Sequence, residues 1–184
     1  HVPDQITIAE AIDLGQLSIE HLTGYFEWEG SQVKITAGGN YAEITAKSET
    51  WNCPTIYNHY LNGSRSGAAT VVTYAETSGL LPGSLKEMWR TRAKGTSKEV
   101  IEIADKYGAS NFEIHKKIVL SLYNSKAKLI AGTDAGGLPF LIPGYSLHQE
   151  LKLMSEFGIP RYEVLKMATI NAALAMNKDA EFGT

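Results

Sequence analysis

Apolar side chains recur along this chain at helical spacing in some stretches and at alternate positions in others. A Thr-x-x-Glu capping box at Thr7 and Glu10 opens the first predicted helix, ahead of a run with apolar residues on one face. Residues 17–22 then alternate apolar and polar side chains between Gly15 and Gly24, which favours a short strand whose last residues emerge at a loop. The first unit of the predicted fold is therefore a helix followed by a strand.

The same order of elements recurs further along the chain. Residues 41–49 predict a helix, and residues 51–56 predict a short strand with a proline near its end. Residues 128–134 form an apolar run that predicts a buried strand ending in a polar residue. Residues 26–35 leave two structures open, a hairpin that turns at residues 29–32 and a loop with one helical turn.

Five more helices are predicted from apolar periodicity: residues 85–93, 98–107, 111–124, a segment marked by Leu147, Leu151 and Met154, and a last one opened by Pro160. A capping box at Thr96/Glu99 opens the second of these helices, and one at Ser110/Glu113 opens the third. Residues 63–83 are rich in Gly, Ser and Thr and predict a long loop, of the kind that often holds substrates.

Alternating strands and helices predict an α/β fold. Strands separated by helices of this length pair in parallel through right-handed crossovers. Only about three strands of this kind are predicted, and so small a parallel sheet leaves edges and faces uncovered. The rest of the fold is therefore expected to lie elsewhere.

Composition and charge exclude several classes of partner and structure. The 184 residues are 43% hydrophobic and 20% charged, which suits a globular domain or part of one. A net charge of −3 gives no general attraction to nucleic acid, and the longest apolar runs are too short to span a membrane. Cys53 is the single cysteine, so no intrachain disulfide is possible. We expect a soluble protein and slightly favour the cytoplasm, although a targeting segment would lie before His1.

Polar residues at the ends of predicted strands are the first candidates for chemistry, because active sites of parallel α/β barrels lie at the carboxyl ends of their strands. His21 follows the strand in residues 17–22, and Asp134 ends the strand in residues 128–134. Tyr57 and His59 follow a third strand. An imidazole and a carboxylate suit a metal ion. Taken alone, His21 is equally explained as a capped or hydrogen-bonded histidine, and the terminal His1 as a tag remnant.

Six stretches, in order along the chain, resemble amidohydrolase-superfamily enzymes: His1-Val2-Pro3, residues 11–21, Pro54-Thr55, residues 132–136, residues 143–151 and residues 168–173. The first two resemble the stretch that carries the fifth- and sixth-strand histidines, the third resembles the seventh-strand exit, and the fourth resembles the eighth-strand motif. The last two are similar to the helices that follow. The resemblance is nearest to the imidazolonepropionase-like and Xaa-Pro dipeptidase-like (prolidase-like) branch.

The resemblance implies a partial TIM (β/α)8 barrel comprising about strands 5/6 to 8 with their helices. Residues 1–184 would then be the C-terminal part of the barrel domain, with the N-terminal half and a small accessory β-domain outside this chain. Family members also carry a His-x-His on the first strand, and this chain contains no His-x-His. The resemblance therefore implies an incomplete metal site, weak metal binding and a fragment that is inactive by itself.

The resemblance also implies roles for individual residues. His1 and His21 would bind a divalent metal, usually zinc, with one or two ions in the complete enzyme. Asp134 would bind at the second metal site and act as the catalytic residue that handles the proton of the attacking water. A metal ion lowers the pKa of bound water and polarises a carbonyl oxygen, so the implied reaction is hydrolysis of an amide or cyclic amide C–N bond. The substrate would be a small molecule or dipeptide-like.

Other candidates rest on less. Tyr57, His59 and Arg65 are predicted to contact substrate, although packing or solvent contact explains such residues as well. We expect His148 to support the site or the fold, and His115, beside two lysines, to lie on a solvated helix face. The alternative function is a non-catalytic half-barrel that binds a partner or self-associates as a homo-oligomer.

Overall fold

Helices alternate with short strands in the computed structural model. The structure describes residues 1–36, 40–63, 74, 79–95, 97–136 and 140–183. Within these ranges the helices are α1 (Ile8–Asp13), α2 (Tyr41–Ala46), α3 (Ile56–Asn62), α4 (Gly83–Lys94), α5 (Lys98–Asn124), α6 (Tyr145–Glu156), α7 (Arg161–Met167) and α8 (Ile170–Ala175). The strands are β1 (Ser18–Glu20), β2 (Phe26–Glu29), β3 (Gln32–Ile35), β4 (Trp51–Cys53) and β5 (Lys128–Leu129).

Three strands form a parallel sheet in the order β1-β4-β5. Ile19 pairs with Asn52 across β1 and β4, and Asn52 pairs with Leu129 across β4 and β5. At least one helix lies between each strand of this sheet and the next along the chain. This arrangement confirms the predicted α/β class and parallel pairing. The strand predicted over residues 128–134 is shorter than expected, since only Lys128 and Leu129 belong to β5.

Residues 26–35 form an antiparallel hairpin, the first of the two structures left open by the sequence. Phe26 pairs with Ile35, and Gly30 lies in the turn with a φ of 62°. The hairpin is fastened to α5 by the side chain of Asn111, which accepts the Val33 N–H at 2.9 Å and donates to the Ser31 carbonyl at 3.0 Å. The second strand of the hairpin thus packs on the long helix.

Helix α5 runs through the point where two separate helices were predicted. Ser97 caps its N-terminus by accepting the Val100 N–H, whereas Ser110 bonds to the Tyr107 carbonyl within the helix instead of starting a new one. Gly108 stays helical because it lies directly against Gly63 at the end of α3, where a Cβ on Gly108 would overlap the Gly63 carbonyl oxygen. Close packing between two helices overrides the local capping signal.

The last predicted helix is divided in two. Helix α7 ends at Met167 and α8 begins at Ile170, with Thr169 between them in a non-helical conformation (φ −126°, ψ −99°). The freed carbonyl of Met167 accepts the Ala131 N–H at 3.0 Å, just beyond β5. The break therefore ties the C-terminal helices to the segment that leads to Asp134.

The core lies between the parallel sheet and the surrounding helices. Its largest fully buried apolar side chains include Ile8, Ile19, Leu22, Ile56, Leu122 and Met154. The buried Asn52 joins the strands through polar contacts, because it accepts the Tyr25 hydroxyl at 2.7 Å and donates to the Lys128 carbonyl at 3.0 Å. Among the helices of the described ranges, none combines the length and apolar character needed to cross a bilayer.

Candidate active site at the strand exits

Each strand of the parallel sheet is followed by a polar residue in the left-handed backbone region. His21 follows β1 with a φ of 58°, Thr55 follows β4 with a φ of 48°, and Asp134 follows β5 with a φ of 59°. This conformation is uncommon outside glycine and is costly for a β-branched residue such as Thr55. Because the carboxyl ends of parallel strands meet at one edge of the sheet, the three turns bring these side chains together.

His21 is the centre of this group. Its ring stacks on that of His1, with 4.8 Å between the ring centroids and 28° between the planes. Its Nε2 lies 3.9 Å from Oδ2 of Asp134, and its Nδ1 lies 2.7 Å from the Thr55 hydroxyl. His1 and Asp134, two of the residues predicted as metal ligands, therefore both lie next to the third, His21, although Asp134 is more than 100 positions further along the chain.

The segment that carries His1 is fastened to the turn after β1. The Val2 N–H donates to the Thr23 hydroxyl at 2.9 Å, and the Thr23 hydroxyl donates to the Glu20 carbonyl at 3.0 Å. Val2 itself is buried in the main core. Both anchors hold His1 beside the exit of β1.

The donor set has the chemistry of a divalent-metal site but is not closed. Two imidazoles and a carboxylate are ligands that zinc accepts in proteins. Within the described part of the chain, however, no group of three His, Cys, Asp or Glu side chains is arranged to hold an ion. His1, His21 and Asp134 fit a metal as part of a site. His1 and Asp134 each lie next to His21, but the three side chains are not arranged around one point.

Of the predicted substrate contacts, Tyr57 and His59 lie on α3, and Arg65 lies outside the described residues. Tyr57 is buried in a second apolar cluster with Leu61 and Trp89, and this burial raises the pKa of its phenol. His59 donates through Nε2 to the His21 carbonyl at 3.1 Å, since a carbonyl can only accept. Burial lowers the pKa of His59 to about 4, so its ring is neutral near pH 7.

The expectation for His115 is wrong. Its side chain is only 3% exposed, and its ring lies 3.8 Å from that of His59 and 4.9 Å from that of Phe26, centroid to centroid. Burial, followed by the neighbouring His59, lowers the pKa of His115 to about 3. Helical spacing from the buried Ile118 and Leu122 was the available signal, and the adjacent lysines obscured it.

Comparison with protein-family models matches residues 6–184 to the amidohydrolase family. The chain belongs to that family. It is similar to the solved structure of a bottromycin amidohydrolase, with a TM-score of 0.67 and 20% identity, over 100% of this chain and 42% of that one. It is also similar to a Xaa-Pro dipeptidase crystallised with methionine in its active site, with a TM-score of 0.52 and 20% identity, over 96% of this chain and 33% of that one.

The chain thus spans less than half the length of these two solved structures. At this level of identity, they show a shared fold. A search of curated proteins gave no match. Membership of the amidohydrolase family confirms the resemblance that the sequence motifs indicate.

One residue near the strand exits was not assigned a role from the sequence. Glu150, on α6, has no solvent exposure, and its two carboxylate oxygens accept the N–H groups of Ile56 at 2.8 Å and Tyr57 at 2.6 Å. Burial raises the pKa of Glu150, and the two N–H donors oppose that rise. The only signal in the sequence was its four-residue spacing from Ser146 and Met154, which are also buried.

His148 lies on α6, the same helix as Glu150. It lines a surface groove between α6 and α7 with Leu151, Arg161 and Leu165. Although it lies only 14 positions after Asp134, it takes no part in the contacts that join His21 to Thr55 and Asp134. His148 therefore lies between α6 and α7.

Proposed function

We propose that this chain is the C-terminal part, about strands 5/6 to 8, of a metal-dependent amidohydrolase barrel that cleaves an amide or cyclic amide C–N bond. The substrate is a small molecule or dipeptide-like compound. The observation that carries the proposal is the convergence of His1, His21 and Asp134 at the carboxyl ends of parallel strands. Membership of the amidohydrolase family and the names of the two similar structures support the reaction class.

His1 and His21 would hold a divalent cation, zinc in this proposal, and Asp134 would bind at the second metal site. When bound, such an ion supplies Lewis-acid activation of water and of the scissile carbonyl. Asp134 has a side chain that is 38% exposed, so it is open to substrate from the sheet edge. Its Oδ2 takes a proton from the attacking water and delivers it to the leaving nitrogen. The neutral His59 fixes the backbone at His21 without adding charge.

The remaining strands of the barrel are proposed to pair with β1 and β5. Among the described residues, each of these strands is paired on one side only. Leu14 and Leu17, next to β1, have exposed fractions of 79% and 83%. An unpaired edge flanked by exposed leucines is a surface that proteins normally cover. By itself, the chain is proposed to be inactive.

The edge of the sheet at β1 suits two kinds of partner: the remaining strands of the same barrel, or a second copy of this chain. In that second candidate, two copies of this chain pair through β1 and the exposed Leu14 and Leu17. Sedimentation of the chain with and without zinc distinguishes the two. Association that depends on concentration, and that Leu17→Lys abolishes without any effect of metal, favours the non-catalytic half-barrel.

The experiment that tests the enzyme proposal is hydrolysis of dipeptides and cyclic amides by the protein carrying this chain in its full natural length. Activity should disappear on chelation, return with zinc, and be lost in Asp134→Asn. His148→Ala is the matched control, since His148 lies in the groove between α6 and α7. Activity that survives both chelation and Asp134→Asn would contradict the proposal.

A further inference from the structure

We propose that Thr55 is a positioning residue that fixes the tautomer of His21, and that Glu150 makes this possible by capping α3 in its place. This inference rests on the proposed function, in which His21 binds metal. Thr55 and Glu150 were assigned no functional role from the sequence. The contacts that join them to His21 are all within hydrogen-bonding distance.

The first step concerns the two ring nitrogens of His21. In a neutral imidazole, one nitrogen donates and the other accepts, and the partner of one nitrogen decides the state of the other. Nδ1 lies 2.7 Å from the Thr55 hydroxyl, whereas Nε2 is 3.9 Å from Asp134, which is too long for a hydrogen bond. The Thr55 hydroxyl can donate or accept, and we assign it the acceptor role: when Nδ1–H donates to Thr55, Nε2 carries a lone pair that is free for a metal.

The second step explains why the Thr55 hydroxyl is available. A threonine in front of a helix normally uses its hydroxyl to accept an N–H group of the first turn. Thr55 makes no such bond, because its left-handed backbone turns the side chain towards His21. The first N–H groups of α3 are instead accepted by Glu150, at Ile56 and Tyr57.

The third step concerns cost. A buried carboxylate and a β-branched residue with positive φ are both unfavourable, and each persists only where other contacts hold it. Here the buried Glu150 and the strained Thr55 are coupled, because Glu150 accepts the N–H groups of the two residues directly after Thr55. Helix α3 also reaches the backbone of His21 through His59. One short helix therefore holds His21 at its ring and at its carbonyl oxygen.

The test measures the ring nitrogens of His21 by NMR in the full chain, labelled with ¹⁵N histidine and free of metal, at a pH where the ring is neutral. The five histidines are assigned by single substitution. The inference predicts the Nδ1–H tautomer in the wild type and in Thr55→Ser, and a shift towards Nε2–H in Thr55→Val. Glu150→Gln should shift the tautomer in the same direction, because the amide nitrogen of glutamine cannot accept an N–H.

Zinc affinity, measured in the protein that carries this chain in its full natural length, is the second readout. Thr55→Val should weaken zinc binding by roughly ten- to a hundredfold, whereas Thr55→Ser should restore it to within a few-fold. A wild-type ring in the Nε2–H form, or equal tautomers in Thr55→Val and wild type, overturns the inference. The predicted tautomers without zinc binding in any variant support the role of Thr55 and refute the proposed function. If Glu150→Gln fails to fold, the comparison of Thr55→Val with Thr55→Ser still tests the inference.

Discussion

The carboxylate of Glu150 accepts the backbone N–H of Tyr57 at 2.6 Å, although the two residues are 93 positions apart in the chain. Its other oxygen binds the N–H of Ile56. An acidic side chain with no solvent exposure thereby closes the N-terminus of α3, next to the exit of β4. The two oxygens accept N–H groups that have no partner within the helix, and they replace the usual side-chain cap.

Removing this cap should destabilise the fold. In Glu150→Ala, two buried N–H groups lose their acceptor, and each unsatisfied group costs about 1–3 kcal/mol. We expect the free energy of unfolding to fall by roughly 2–6 kcal/mol, measured by urea denaturation. The control is Glu156→Ala on the same helix, whose exposed pair with Lys152 contributes less than about 1 kcal/mol. Equal losses in the two variants would argue against a structural role for the Glu150 carboxylate.

Stability should fall in mild acid because of His115. Its pKa of about 3 in the folded protein lies below the ordinary 6.5, so the folded state keeps it neutral. Below pH 6.5 the unfolded state gains a proton that the folded state does not, and stability is lost as the pH falls towards 3. Between pH 7 and pH 5 this group alone should cost about 2 kcal/mol.

The matched variant for this prediction is His115→Leu, which keeps an apolar group at the buried position and removes the titration. Urea unfolding of both proteins at pH 7 and pH 5 should show a smaller pH effect in the variant. His59, whose pKa is also lowered, contributes equally to both. An unchanged pH dependence in His115→Leu would contradict the assignment.

Gly132 should tolerate no side chain. A Cβ at this position would lie 2.5 Å from Sγ of the buried Cys53, between β4 and the exit of β5. Gly132→Ala is expected to cost about 1–3 kcal/mol, as overpacking of a core does. Cys53→Ala in the same chain should recover most of this loss, because it removes the sulfur atom.

The control for that prediction is Gly83→Ala, where a Cβ would meet nothing within 4 Å at the start of α4. Alanine there should be neutral or slightly stabilising. Thermal denaturation of the wild type, Gly132→Ala, Cys53→Ala and the double variant forms a double-mutant comparison. Additive losses for Gly132→Ala and Cys53→Ala, instead of recovery, would place the strain elsewhere.

The strand exits were predictable because their signals are local. Short apolar runs before His21 and Asp134 indicated where two strands end. The motifs around these residues resembled the amidohydrolase pattern, and the family match confirms that resemblance. The parallel sheet followed from the alternation of elements. What these residues bind stays a prediction.

The features that the sequence did not predict have a common physical cause, because each depends on contact with a residue that is distant in the chain. The capping box at Ser110 was overridden by contact of Gly108 with Gly63. His115 was placed in solvent because of its lysine neighbours, whereas α3 and the hairpin cover it. The role of Glu150 requires α3, which lies more than 90 positions earlier in the chain.

The central claim is that His1, His21 and Asp134 bind divalent metal in the complete enzyme, and zinc titration by calorimetry of the protein in its full natural length tests it most directly. The wild-type protein should bind zinc, and His21→Ala and Asp134→Asn should each weaken binding at least tenfold. His148→Ala should bind like the wild type. Zinc affinity that is the same in His21→Ala, Asp134→Asn and the wild type would contradict the account.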